Sequence, residues 1–114
     1  MIIKEEDAIQ RELVPGLFQI HYIDKSSGAG GVSMGVVTLM PGAQLKTHVH
    51  KLEDAMIVIE GKGLLILEGE EYPIEEGMGL LAPAGKPHGL KNNSDKPLRI
   101  VYTWPGVDVE RVFV

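Results

Sequence analysis

Cysteine is absent from this 114-residue chain, which removes disulfides, thiol nucleophiles and thiolate metal ligands together and leaves the redox compartment open. Long apolar runs are missing too. The longest clean one, Ala55 to Ile59, is far short of a membrane span. The opening residues, Met1-Ile2-Ile3-Lys4-Glu5-Glu6-Asp7, place acids where a signal peptide needs an apolar core, so the expected location is cytoplasmic. No cluster of Lys and Arg occurs, and 11 basic residues stand against 16 acidic ones for a net charge of −5. Nucleic acid and anionic membrane are therefore poor partner expectations, and a small molecule is the better one. Internal repeats, low-complexity tracts, linker-like composition shifts and helix-period stretches are also lacking.

What is present describes a small all-β domain. At 44% apolar residues, a chain of this size buries enough surface to fold without staples, and one domain spanning residues 1–114 is the natural count. The 14 glycines and 7 prolines punctuate short β-rich runs: Leu17 to Ile23, Val32 to Met40, Asp54 to Glu60, Leu64 to Leu67, Glu71 to Ile74, Gly79 to Ala82, Leu98 to Thr103 and Val107 to Phe113. Residues 1–16 read as an N-terminal arm, in which Glu5 to Leu13 forms a short helical turn or packs irregularly. Turns such as Pro41-Gly42 and Glu76-Gly77 join the runs into consecutive antiparallel hairpins that close as a barrel or sandwich. The lumen of such a small barrel holds one small ligand or is filled by side chains.

Four histidines occur, and two of them form His48-Val49-His50. On a strand this alternation puts both imidazoles on one face with Cα atoms roughly 7 Å apart, a spacing suited to one metal ion. The alternative is a polar face on an exposed edge. Asp54 follows four residues after His50, and His88 is preceded by Pro83-Ala84-Gly85-Lys86-Pro87, a stiff turn that aims the next side chain inward. Three imidazoles and one carboxylate suit a single divalent transition ion, whether Fe, Mn, Ni, Cu or Zn, and the spacing does not choose among them. His21 lies outside this pattern and reads as a surface or hydrogen-bonded strand residue.

These residues carry a family resemblance. Gly42 through Gly61, with His48, His50 and an acid at 54, resembles the first cupin motif: glycine, five residues, HxH, three residues, an acid, six residues, glycine. Gly77, Pro83, Gly85, His88 and Asn92 match the second motif in full, so residues 42–92 carry both. The resemblance implies a cupin barrel, that is, a double-stranded β-helix or jelly roll of the RmlC-like superfamily. It also implies a functionally broad family that includes dioxygenases, decarboxylases, isomerases, lyases and non-catalytic binding domains. One position departs from the family: it has glutamate where this chain has Asp54. The shorter acid draws the carboxylate back by about 1.5 Å, which metal–oxygen distances do not absorb. Either the strand sits closer, or a water bridges, or the three histidines hold the ion alone.

Further residues are expected around the ion. Strand alternation from Asp54 turns Met56 and Val58 inward as an apolar wall. Gln44 and Lys46 share the parity of His48, and Tyr102 and Trp104 share one strand face from which either stacks on or hydrogen-bonds a ligand. Asn92 and the motif glycines read as turn formers. The apolar end of Val107 to Phe113 invites pairing with a partner, and the resemblance suggests a homodimer built on terminal strands. The first expectation is a metal-dependent enzyme acting on a small organic molecule, dioxygenase-like, since no separate general base is evident. The alternatives are a non-catalytic module for a sugar or organic acid, with its metal structural or absent, and a metal-free isomerase or epimerase using His50 and Tyr102.

Overall fold

The computed structural model describes residues 1–107 and 112–113. Eleven strands follow in order among them: β1 (Ile9–Val14), β2 (Leu17–Ile23), β3 (Ser33–Leu39), β4 (Gln44–Val49), β5 (Asp54–Glu60), β6 (Lys62–Leu67), β7 (Glu70–Glu75), β8 (Gly79–Ala82), β9 (His88–Lys91), β10 (Leu98–Trp104) and β11 (Val112–Phe113). They pair antiparallel into a six-stranded sheet, β1-β2-β3-β10-β5-β8, and a five-stranded sheet, β11-β4-β9-β6-β7. This is the all-β barrel that the turn pattern predicts. Among the described residues no helix is long and apolar enough to cross a membrane.

The N-terminal segment is more regular than its sequence suggests. After one 3-10 turn at Glu5–Asp7, Ile9–Val14 forms an edge strand on β2, with Ile9 opposite His21 and Arg11 opposite Gln19. A helical turn is thus present, but the arm is mainly strand. Most of β1 is exposed, so it carries no clean alternation for a sequence reading to detect. The expected final run, Val107 to Phe113, falls partly outside the described residues. Its last part, Val112–Phe113, pairs within the chain against β4, with Phe113 opposite His48.

Register grades the lumen from apolar to polar. On the six-stranded sheet, Leu98 pairs with Leu39, which pairs with Leu17, and all three are buried. One step along the strands lie Val37, Ile100 and Val58 beside Gln19, and the next step brings Gly35, Tyr102 and Met56 beside His21. Ser33 opposite Trp104 ends the series. The facing sheet runs the same way, from the row Leu45, Leu90, Leu65 to the row His48, His88, Leu67. Hydrophobic packing therefore holds one end of the barrel shut, and buried polar side chains gather at the other. Asn92 belongs to the packing machinery, as expected for a turn former. Fully buried, its Nδ2 donates to the carbonyls of Leu39 and Lys96, and its Oδ1 accepts from the Ser94 backbone and hydroxyl.

Candidate metal centre

Two local devices bring the histidines together. The first is a bulge in β4. Leu45 pairs with Leu90 and His48 with His88, so β4 advances three residues while β9 advances two. The extra residue flips the alternation: Leu45 faces in, Lys46 out, and His48 in again. The second is the turn before β9. Gly85, at φ 73°, adopts a backbone conformation that suits glycine, and its N–H donates to the His50 carbonyl at 2.8 Å. The turn that launches His88 is thereby tied to the backbone of His50.

The result is a buried triplet. His48, His50 and His88 are at most 3% exposed, and one nitrogen from each lies within 4.8 Å of the others. Ring centroids are 4.7 Å apart for His48 and His50, 4.4 Å for His48 and His88, and 5.2 Å for His50 and His88. Backbone carbonyls fix two tautomers. A carbonyl only accepts, so His48 donates its Nδ1–H to Lys46 O at 2.7 Å and His88 its Nδ1–H to Lys86 O at 3.3 Å. In the neutral rings this leaves both Nε2 atoms unprotonated, the tautomer that outer hydrogen bonds impose on metal-binding histidines. His48 Nε2 is 3.1 Å from His50 Nε2, and with His48 protonated at Nδ1 the proton in that contact is His50's. Two nitrogens so spaced both reach one ion at about 2.0–2.1 Å. The donor set fits a divalent transition ion, and it leaves the identity of the metal open.

Asp54 stands beside this triplet. It is buried, with Glu53 pointing outward as its neighbour, and Met56 and Val58 share its inward face as expected. Its Oδ2 is 3.9 Å from His88 Nε2, yet the mutually close set consists of the three imidazoles. Tyr102 and Trp104 are buried at the same end, with Trp104 5.5 Å from the His50 ring and 4.8 Å from the Tyr102 ring. Gln44 is different: it is exposed and lines an outer groove with Leu13, Leu17, Lys46 and Phe113. The bulge is the reason, because parity counted back from His48 fails across it. Lys46 for the same reason contributes its carbonyl, not its ammonium.

Sequence reasoning set His21 aside and passed over Gln19. Tyr102 Oη lies 2.8 Å from His21 Nδ1 and receives the Gln19 amide proton at 3.0 Å. A signal for them did exist, since Leu17, Gln19 and His21 alternate on the inward side of β2, and two polar residues on an inward face are unusual.

Known proteins resemble this chain to different depths. The chain is 32% identical over 76 residues to polyketide synthase CurC of Streptomyces cyaneus, covering 66% of this chain and 49% of that protein. It is 28% identical over 97 residues to gentisate 1,2-dioxygenase of a Ralstonia species, covering 82% and 26%. It thus spans about half the length of the first relative and about a quarter of the second. The polyketide cyclase RemF of Streptomyces resistomycificus has the same fold, with a TM-score of 0.83 at 23% identity over 100% of this chain and 86% of that one. The family model for the cupin domain matches residues 35–104, more than half of the sequence and all of the histidine triplet. By that match, the chain belongs to the cupin family.

Proposed function

We propose that the protein is a metal-dependent enzyme acting on a small organic molecule inside the barrel, with His48, His50 and His88 holding one divalent ion and dioxygenase-like chemistry as its class. One observation carries this reading: three buried imidazoles converge, two of them with tautomers fixed so that Nε2 faces the common point. Such an ion supplies Lewis acidity and, when redox-active, one-electron chemistry. Met56 and Val58 keep water from the neighbourhood, and Asp54 offers a carboxylate to a metal-bound or protonated group beside His88. The gentisate dioxygenase relative supports the choice of class.

The test starts with metal content per chain after anaerobic, chelator-free purification. Oxygen uptake is then followed on the Fe(II)-loaded protein with gentisate and other hydroxylated aromatic acids. About one ion per chain with substrate-dependent uptake supports the reading. One ion with no uptake removes the dioxygenase class, and no ion, even after divalent metals are added, leaves a non-catalytic ligand-binding module.

The carboxylate makes its own prediction. Asp54→Glu extends the acid by about 1.5 Å toward the triplet, and we expect metal affinity to rise or hold in a chelator competition. A large loss would mean that the local backbone is built around the shorter acid.

The proposal includes a homodimer. On the outer face of the six-stranded sheet, Ile57 pairs with Val101, Val101 with Val36 and Val36 with Ile20, while Met34, Ile57 and Leu81 are exposed. A continuous apolar band of this kind suits a second copy of the chain. Ile57→Lys is expected to shift sedimentation from dimer to monomer with unchanged circular dichroism, and a wild type that sediments as a monomer would remove the dimer.

A further inference from the structure

The hairpin that joins β6 to β7 reaches across to the turn that launches His88. Leu67 pairs with Glu70, so the hairpin turns on two residues, Glu68 and Gly69, with φ 50° and 84°. Positive φ at both positions is the type I′ geometry, which favours Asn or Asp followed by Gly. Glu68 is the one non-glycine residue with a positive φ among the described residues. A long acid in that conformation is unfavourable for the turn itself and calls for a reason outside it.

The neighbouring turn supplies the reason. The Glu68 N–H donates to Pro87 O at 2.9 Å, and the Glu68 carboxylate lies 3.3 Å from Lys86 Nζ. Lys86 in turn supports the His88 side of the centre. Its N–H closes the turn on Pro83 O at 3.2 Å, and its carbonyl accepts the Nδ1–H of His88. That anchor is 3.3 Å long, against 2.7 Å for the corresponding anchor of His48, so it has the more to lose when the turn shifts. We propose that Glu68 is a positioning residue for the metal centre: through Lys86 it holds the carbonyl that keeps the His88 proton on Nδ1 and leaves Nε2 to the ion. The inference rests on the metal reading above and adds to it a residue that is no part of the motif positions.

Both side chains of the pair are more than half exposed, at 54% and 55%, so the effect on metal affinity is modest, about threefold, the scale of an exposed ion pair. Its sign identifies it. Glu68→Asn keeps the backbone N–H and suits the turn better than glutamate, so the melting temperature should hold or rise while metal affinity falls. Structural damage would lower both. Lys86→Met keeps the alkyl stem and removes the charge. If the two groups acted only as charges near the ion, losing the acid would weaken cation binding and losing the lysine would strengthen it. A clamp weakens binding in both variants, and the double variant is then no weaker than either single one. Salt at about 1 M, where the Debye length is about 3 Å, should close the gap between wild type and variants.

We would measure Zn(II) affinity of the full chain by chelator competition, together with imidazole 15N NMR of the metal-free chain at mildly alkaline pH, where the His88 resonances report which ring nitrogen carries the proton. Expected is a His88 ring protonated chiefly at Nδ1 in wild type, a more mixed tautomer in Glu68→Asn and Lys86→Met, and a His48 ring that stays as it was. The proposal is overturned if the His88 tautomer is the same in Glu68→Asn as in wild type, if Lys86→Met raises Zn(II) affinity, or if wild type and Glu68→Asn bind Zn(II) equally well. A wild-type chain that takes up no Zn(II), but whose His88 tautomer responds to both substitutions, would retain the positioning of His88 by Glu68 and discard the metal reading.

Discussion

His48→Ala is expected to lower bound metal from about one ion per chain to none after desalting, with the barrel still folded by circular dichroism. His48 is the hub of the triplet. Its Nε2 lies 3.1 Å from that of His50, its ring centroid 4.4 Å from that of His88, and its Nδ1 is anchored to Lys46 O. Replacing a residue that merely orients a ligand costs about 10–100-fold in metal affinity, so loss of a direct ligand should exceed the upper end of that range. The fold survives because the histidines sit at the polar end of the lumen, away from the row formed by Leu17, Leu39 and Leu98. A cavity left beside His50 and Phe113 destabilises the chain without dissolving that row. Elemental mass spectrometry on wild type, His48→Ala and His88→Ala decides the matter. Unchanged metal content in both variants would move the ion, and with it the proposed function, to another place.

The parts of the structure that follow local rules were legible in the sequence. Leu17–Ile23, Asp54–Glu60 and Gly79–Ala82 coincide with the runs of β-rich residues bounded by turn formers. The inward set Asp54, Met56 and Val58 follows from alternation alone. The convergence of His48, His50 and His88 was readable because two local devices, an HxH at the end of a strand, with His50 one residue past it, and a proline-bounded turn, each aim side chains without knowledge of the whole barrel. What failed was a rule carried across an irregularity. Parity from His48 back to Gln44 assumes a regular strand, and the bulge opposite β9 adds one residue between them. Gly89 marks the place from the other side, since a Cβ there would meet Leu45 O at 2.7 Å and Thr47 N at 3.2 Å. A glycine in a short strand is a cue to such an irregularity, but it does not tell which partner strand is bulged. The link between His21 and Tyr102 was out of reach for a different reason. These residues lie 81 positions apart, and only the sheet order β2-β3-β10 brings them together.

Gly35→Ala is expected to destabilise the protein by about 3 kcal/mol or to prevent its folding, at or above the upper end of ordinary overpacking costs. Gly35 sits on β3 between His21 on β2 and Tyr102 on β10, in register with both. Tyr102 must cross over β3 to reach His21, a span of two strand spacings or roughly 9.5 Å, and the missing side chain at position 35 leaves the lane open. A methyl group there would collide with the Tyr102 phenol and with the carbonyl of Ile20. The phenol can swing away only by giving up its contacts with His21 and Gln19, and the carbonyl, being backbone, moves only if β2 parts from β3. Gly31→Ala is the control, because a Cβ at that position meets open space and the change should stay within about 0.5 kcal/mol. Urea unfolding of both variants gives the comparison. The same substitution on a Tyr102→Ala background separates the two collisions: if the phenol is the main obstacle, Gly35→Ala costs less there, and the coupling energy measures its share. If the cost is unchanged on that background, the Ile20 carbonyl carries it, and Gly35 is required by the approach of two strands instead of by the side chain that lies across them.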